Sequence, residues 1–173
     1  MLTTRKIAVL CAALAIAPFG AMADDEITAL GKAKLSISGA VTATEKSTGG
    51  KVMEIKLDEE KGAPIFEAAV LSGGKVKHYK IDAATSTGMP VESKSLMDKI
   101  DMEGKAEQDA IMQAKTSLND AIAAVEKDTG GKAVQASVEV EDKKSEYHIE
   151  VVANGKEVKK KVDTASGKII TKS

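Results

Sequence analysis

The 173-residue sequence has little of what usually stabilises or equips a small domain. It contains one cysteine, Cys11, no tryptophan, two phenylalanines and two tyrosines. A single cysteine excludes an internal disulfide framework, so the fold has to depend on burial of apolar side chains. The formal net charge is −1, and aromatic residues make up 2% of the chain. Because nucleic-acid binding needs a basic excess and rings on which bases stack, the composition argues against a nucleic-acid partner.

Long apolar runs are also scarce, and the clearest one lies at the amino terminus. Arg5 and Lys6 precede an unbroken apolar run over residues 7–17, and Ala-Met-Ala follows at 21–23. This arrangement is typical of a secretory signal peptide, since the run is short for a membrane span. We therefore expect residues 1–23 to be removed by cleavage after Ala23. The protein would then be periplasmic or secreted, with no stable membrane anchor. The alternative is a buried amino-terminal helix or a membrane span.

The most informative feature present is an internal repeat. The stretch EKSTGGK at 45–51 returns as EKDTGGK at 126–132, and we call the separation of these two stretches along the chain the repeat offset. Asp82 and Asp163 are separated by the repeat offset, whereas the separation of Gly88 and Gly167 is two residues shorter than the repeat offset. The first copy therefore holds two extra residues in a turn. Matching positions at a constant offset over a long stretch predict a tandem duplication of one supersecondary unit.

Each copy is predicted to contain an amphipathic helix. In the second copy Ser117 is a favourable N-cap, and Gly130 and Gly131 end the helix, because the residue after a helix often adopts positive φ. We interpret the repeated Thr-Gly-Gly-Lys as a helix exit leading into a strand. A phosphate-binding loop is the weaker interpretation, because these glycines follow a helix and do not open one. The apolar stripe, which we expect to be buried, contains Leu118, Ala121, Ile122 and Val125.

After each helix the apolar period changes to two, which predicts strands. Val134, Ala136 and Val138 begin the series in the second copy, and Asn154-Gly155 predicts a hairpin turn. The sequence thus predicts an α+β fold of two tandem repeats. Each repeat is a helix followed by an antiparallel sheet of about four strands, with the helix packed on one sheet face. Since a unit of about 70 residues is marginal alone, we expect the repeats to pack together, with their strands able to join in one sheet.

The predicted organisation has four parts. Residues 1–23 form the signal peptide and 24–90 the first repeat. Residues 91–113 form a connector with a short helix, and 114–173 form the second repeat.

The second copy resembles a PepSY domain. That family's pattern runs from an Ala-rich helix through a Gly-Gly-Lys exit, a strand with tyrosine, and a hairpin to Asp-Ala-x-Thr-Gly-Lys and two apolar residues. The matching positions are Ala121, Gly130, Gly131, Lys132, Tyr147, Ile149, Val151, Gly155, Asp163, Gly167 and Lys168. The first copy matches at Ala40, Gly49, Gly50, Lys51, Phe66, Ala68, Val70, Gly74, Asp82 and Gly88. It departs from the pattern with phenylalanine in the tyrosine position and a longer, lysine-free last turn.

The resemblance implies the predicted fold and a binding role in the cell envelope, with inhibition or chaperoning of peptidases as the implied activity. It implies no catalytic residues. A likeness of fold does not by itself transfer a function.

Few residues of the sequence are candidates for catalysis or metal binding. The two histidines are His78 and His148, and Ser145 lies three residues before the latter. On a strand, side chains at i and i+3 point to opposite faces, so this pair does not form a nucleophile with its base. Two acidic clusters lack the spacing of a calcium loop and are interpreted as solvated hairpins. They are Asp58-Glu59-Glu60 and Glu139, Glu141 and Asp142. The sequence therefore predicts no catalytic, cofactor-binding or metal-binding residue, and no cofactor.

Lysines recur along the third predicted strand of each copy. One interpretation is an electropositive sheet face for an acidic partner, and the favoured one is protection of strands against edge-to-edge aggregation. The residues are Lys75, Lys77 and Lys80, and Lys156, Lys159, Lys160 and Lys161.

These patterns predict a non-enzymatic exported protein that acts as a protein-binding module. Its expected partner is a protein of the cell envelope, and the PepSY resemblance implies a peptidase that it inhibits or regulates as the first candidate. The alternative is an envelope protein that binds a small ligand or copper. This alternative depends on the histidines and on the thioethers of Met97, Met102 and Met112, which suit cuprous copper, although methionine is also a common core residue.

Overall fold

The computed structural model describes residues 23–93 and 104–171. Almost all of the predicted signal peptide, together with Met97 and Met102, lies outside these ranges. The helices are α1 (Ala23–Lys32), α2 (Ile37–Thr48), α3 (Lys105–Gln113) and α4 (Leu118–Thr129). The strands are β1 (Lys51–Glu60), β2 (Ala63–Ser72), β3 (Lys75–Asp82), β4 (Pro90–Glu92), β5 (Lys132–Glu141), β6 (Lys144–Ala153), β7 (Lys156–Asp163) and β8 (Ile169–Ile170). Within the described ranges, no helix combines the length and the hydropathy needed to cross a membrane.

All eight strands belong to one antiparallel sheet, in the order β4-β3-β2-β1-β5-β6-β7-β8. The repeats meet at its centre, where β1 pairs with β5 through Glu54 with Ser137, Ile55 with Ala136 and Lys56 with Gln135. Each repeat contributes four strands. The predicted α+β fold of two helix-and-sheet repeats is therefore confirmed, and the two sheets are joined into one.

The repeat in the sequence is also a repeat in the structure. The repeat offset relates the bounds of α2, β1, β2 and β3 to those of α4, β5, β6 and β7. Both first strands carry a bulge at the equivalent place, between Val52 and Glu54 and between Ala133 and Gln135. The last strands begin at Pro90 and Ile169, and the separation of these two residues is again two residues shorter than the repeat offset. The change of offset in the sequence thus falls in the turn before the last strand of each repeat.

Each repeat also contains a helix ahead of the one that its stripe predicts. α1 was not expected, whereas α3 lies within the range predicted as a connector with a short helix. The last residues of the two helices, Lys32 and Gln113, are separated by the repeat offset. α1 packs on β1 and β2, and Glu26 in its first turn forms an ion pair with Lys56 of β1 at 3.0 Å. The helical spacing that could have revealed α1 is Glu26, Ala29, Leu30 and Ala33, which follows closely on the apolar leader.

The repeated EK-x-TGGK stretch connects each helix to the sheet through the same hydrogen bonds. In the second repeat Gly130 takes the left-handed conformation with φ of 67°. The hydroxyl of Thr129 accepts the N–H of Gly131 at 3.2 Å, and the carboxylate of Glu126 accepts the N–H of Ala133 at 2.9 Å. The first repeat has the same bonds at the equivalent positions. The predicted helix exit is confirmed, and the glutamate ties it to the first strand.

The hydrophobic core lies between the helices and one face of the sheet. The predicted stripe Leu118, Ala121, Ile122 and Val125 is buried. Tyr147 and Phe66, at equivalent positions of the two repeats, are the largest fully buried side chains among the described residues. Tyr147 donates a hydrogen bond from its hydroxyl to the backbone carbonyl of Thr116 at 2.9 Å, and a phenylalanine has no hydroxyl with which to do so.

The first hairpin of each repeat is tighter than the sequence suggested. β1 and β5 continue to Glu60 and Glu141, so most of the acids expected in turns belong to strands. Glu60 pairs with Ala63 and Glu141 pairs with Lys144, which leaves two residues in each turn. Continued ladder pairing therefore holds these carboxylates at defined positions of the sheet.

Candidate functional site

The two faces of the sheet differ in character. One face packs against the helices. The other, called the open face below, carries the alternate side chains of each strand, which are mainly charged. Antiparallel sheets commonly have one such solvated face. In the second repeat its charged and imidazole side chains include Glu139, Glu141, Lys144, Glu146, His148, Glu150, Glu157, Lys159, Lys161 and Asp163.

Both repeats place a lysine of the third strand between acids of the first two strands. In the first repeat the ammonium of Lys80 lies 2.7 Å from Glu60 and 3.9 Å from Glu67. In the second repeat the ammonium of Lys161 lies 2.5 Å from Glu141 and 3.4 Å from Glu146. The hydrogen bonds to Glu60 and Glu141 raise the pKa of the two lysines above its ordinary value.

Other lysines of β7 also form ion pairs. Lys159 lies 2.5 Å from Glu150 and 3.0 Å from Glu157, and Lys160 lies 3.1 Å from Asp128. Burial raises the pKa of Glu150, whereas the hydrogen bond from Lys159 lowers that of Glu157. Because Lys80, Lys159, Lys160 and Lys161 each lie beside a carboxylate, these four lysines add little net positive charge to the sheet. β8 covers only the end of β7, so the lysines do lie along a mostly uncovered strand edge.

His148 lies at the centre of the charged residues of the second repeat. Its Nδ1 is 3.7 Å from Oε1 of Glu139, and its Nε2 is 3.7 Å from Oε2 of Glu146. Nε2 is buried and has no hydrogen-bond partner within the described part of the chain. Glu139 accepts a hydrogen bond from the hydroxyl of Ser137 at 3.2 Å. One ligand atom each of Glu139, Glu141 and His148 lies within 4.8 Å of the others. We call these three residues the Glu-Glu-His cluster.

The other candidate catalytic or metal-binding side chains in the described ranges do not lie close to one another. Ser145 lies 2.5 Å from the hydroxyl of Thr164 and, as predicted, faces away from His148. His78 is buried on β3, and this burial lowers its pKa. It is four strand positions from His148, or about 19 Å at the usual strand spacing. The side chain of Met112 is exposed on α3. The copper hypothesis, which also needs Met97 and Met102, stays a hypothesis.

Two concave surfaces adjoin these elements. A hollow of about 630 Å³ borders the open face beside β7, with Val158 and Ile170 supplying apolar surface and His148 and Lys161 supplying polar groups. A cleft of about 850 Å³ lies between the repeats, where α3 and the start of α4 face the hairpin turn at Gly73.

The comparison with known families identifies the second repeat. Residues 115–172 match the sequence profile of the family described as "Peptidase propeptide and YPEB domain", PepSY. The second repeat is a PepSY domain. The PepSY match covers α4 and the four strands β5 to β8, and it therefore contains the whole Glu-Glu-His cluster. The first repeat has the same order of helices and strands but lies outside the match.

Other comparisons add less. Among solved structures, the chain is similar to a predicted lipoprotein from Clostridium difficile 630, with 16% sequence identity and a TM-score of 0.43. The similarity covers 80% of this chain and 92% of that one. A search of curated proteins finds no match to the chain.

The positions that carry the PepSY resemblance have structural roles. Gly130 and Gly167 adopt positive φ, and Tyr147 is buried in the core. Asp163 accepts hydrogen bonds from the backbone N–H of Ser166 at 2.7 Å and from its hydroxyl at 2.6 Å, which lower the pKa of Asp163. The family pattern therefore specifies the fold, and the Glu-Glu-His cluster is a feature of this chain that the pattern does not contain.

Proposed function

We propose that the protein is an exported, non-enzymatic protein-binding module that inhibits or regulates a peptidase in the cell envelope. The observation that carries this proposal is the PepSY match over residues 115–172, because the family is described as a peptidase propeptide domain. PepSY proteins are typically exported, which agrees with the leader expected at 1–23.

The open face is the proposed binding surface, because its area suits a folded partner. Six of the eight strands have eight to ten residues and are about 26–33 Å long, and six strands about 4.8 Å apart are about 29 Å wide. The face therefore offers on the order of 1,000 Å², whereas a standard protein interface takes about 800 Å² from each partner. The concave surfaces at its margins are of a size that suits a peptide segment or a small ligand.

The charges on the open face bear on specificity more than on affinity. Lys159 and Lys161 are each held between carboxylates, so a partner has to match alternating signs at fixed positions. Complementary charges raise association rates and exclude wrong partners, while the net gain in affinity from a buried pair differs from one interface to another.

The test measures inhibition and binding of a thermolysin-type metallopeptidase by the purified protein and by two charge-reversal variants. Lys159→Glu changes an exposed side chain of the open face, and Lys127→Glu changes an exposed side chain on the outer surface of α4. We expect Lys159→Glu to weaken binding roughly tenfold or more and Lys127→Glu to leave it unchanged. The reverse pattern would place the interface on the helices. Absence of binding to secreted metallopeptidases of this class would overturn the peptidase assignment.

Export is tested separately. Mass spectrometry of the protein recovered from an envelope fraction is expected to show a chain that begins at Asp24. A chain retaining residues 1–23 in the cytoplasm would contradict that part of the proposal.

A further inference from the structure

We propose that the Glu-Glu-His cluster binds a divalent transition-metal ion, of which zinc is the representative. Glu139 and Glu141 come from β5 and His148 from β6, so the ligands meet only when the two strands pair. This inference does not depend on the proposed peptidase partner.

The three groups match the chemistry of a borderline metal ion. An imidazole nitrogen and two carboxylate oxygens are common zinc ligands, with metal–ligand distances of about 2.0–2.2 Å. Tetrahedral geometry at those distances places neighbouring ligand atoms about 3.4 Å apart. Nδ1 of His148 and Oε1 of Glu139 are already 3.7 Å apart. Glu141 has a side chain 55% exposed, so a change of rotamer completes the set, and the remaining position is left to water.

The residues around His148 and Glu139 supply the hydrogen-bond partners that orient the ligands of a metal site. With Nδ1 on the metal, the protonated Nε2 faces the carboxylate of Glu146 at 3.7 Å, and in the described structure Nε2 has no hydrogen-bond partner. A ligating histidine usually donates its other N–H to a carboxylate or carbonyl, which fixes the ring and the tautomer. The hydroxyl of Ser137 holds Glu139 in a similar way at 3.2 Å. Both ligands on the buried side of the cluster are thus oriented by a neighbour.

Lys161 is the group that competes with the metal. Its ammonium contacts Glu141 and Glu146, which neutralises part of the charge of the cluster. Lys144 and Asp163 lie opposite Glu141 and Glu146 on the same face, one charge of each sign. The carboxylates of Glu139, Glu141 and Glu146 outnumber the ammonium of Lys161, so the site favours a cation that can displace the lysine from Glu141.

The first repeat provides an internal control. At the equivalent positions it has Asp58, Glu60 and Lys80, with the same lysine–carboxylate contact. It has Glu67 where the second repeat has His148, so it lacks the imidazole that prefers transition metals to calcium or magnesium. We expect one zinc ion per chain, bound by the second repeat.

The experiment titrates the purified protein, carrying no histidine tag, with zinc chloride near neutral pH. Isothermal calorimetry gives the stoichiometry, and the imidazole resonances give the location, because the chain has only two histidines. We expect zinc to shift the resonances of His148 and not those of His78. Calcium and magnesium at the same concentrations are expected to shift neither.

Variants separate the site from its surroundings. His148→Ala and Glu139→Gln are expected to weaken zinc binding roughly tenfold or more, since loss of even an outer-shell partner costs about 10–100-fold. Asp58→Asn in the first repeat is expected to leave it unchanged. Lys161→Met is expected to strengthen binding, because it removes the competing ammonium. Thermal unfolding of each variant checks that the fold is retained.

The proposal is overturned by three results. One is the absence of a zinc-induced shift at His148, and another is binding of equal strength by His148→Ala. The third is an equal loss of affinity in Asp58→Asn, which would show that zinc collects on acidic groups without a specific site.

Discussion

Replacing Tyr147 by phenylalanine isolates one buried hydrogen bond in the core of the PepSY domain. The ring stays in place, and the backbone carbonyl of Thr116 loses its donor at 2.9 Å. A typical buried hydrogen bond stabilises by about 0.5–1.5 kcal/mol, and leaving its partner unsatisfied costs about 1–3 kcal/mol. We expect Tyr147→Phe to lower the free energy of unfolding by about 1–2 kcal/mol. A loss of about 1 kcal/mol lowers Tm by about 2–4 °C in a chain of this size, so the expected decrease is about 2–8 °C.

The same substitution has a signature at alkaline pH. Burial raises the pKa of Tyr147 to about 12 from its ordinary value of 10.0. As the pH rises past the ordinary value, the unfolded state loses the phenolic proton while the folded state retains it. The free energy of unfolding therefore falls between about pH 10 and pH 12, and below about pH 10 this group adds no pH dependence. Tyr147→Phe is expected to remove this part of the pH dependence.

Urea denaturation near pH 7 and near pH 11 measures both effects, with Tyr79→Phe as the matched control. Tyr79 is the other tyrosine of the chain and is 9% exposed, with no hydrogen bond to its hydroxyl in the described part of the chain. We expect its substitution to change stability by less than about 0.5 kcal/mol. Equal stability of Tyr147→Phe and the parent protein at neutral pH, or the same alkaline slope in both, would refute the role assigned to the hydroxyl.

Three further predictions concern the helix exit and the buried histidine. Glu126→Ala is expected to destabilise by about 1–3 kcal/mol, because it leaves the N–H of Ala133 unpaired, whereas Glu126→Gln retains an acceptor and should cost less; thermal unfolding compares the two. Gly131→Ala would place a Cβ atom 2.8 Å from the carbonyl oxygen of Val152, so we expect a loss of about 1–3 kcal/mol in urea denaturation, and wild-type stability would show that the neighbouring strand moves freely. Burial lowers the pKa of His78, so its contribution to stability is present above its ordinary pKa of 6.5 and declines as the pH falls. His78→Leu should make the free energy of unfolding less dependent on pH below about 6.5, and an unchanged dependence would exclude this cause.

Much of the fold could be read from local signals in the sequence. Ser117 and Gly130 mark the two ends of α4 because capping and positive φ are decided by residues within one turn. Asn154-Gly155 fixes a two-residue turn in the same way. The constant repeat offset then transfers each assignment from one repeat to the other. These signals missed one helix, α1. Its residues have helical spacing, but they directly follow the apolar run that was interpreted as a cleaved signal peptide.

Tertiary structure alone decided how the two repeats join and what lies on their shared face. The pairing of β1 with β5 involves three residue pairs from segments in different repeats, and no local pattern specifies such a partner. The Glu-Glu-His cluster likewise draws its ligands from two paired strands, and Lys161 reaches it from a third. Period two in the sequence indicates which face a side chain occupies, but the neighbour across the ladder depends on register. The sequence by itself therefore determined the repeated unit, and the packing of the strands determined the surface that this unit presents.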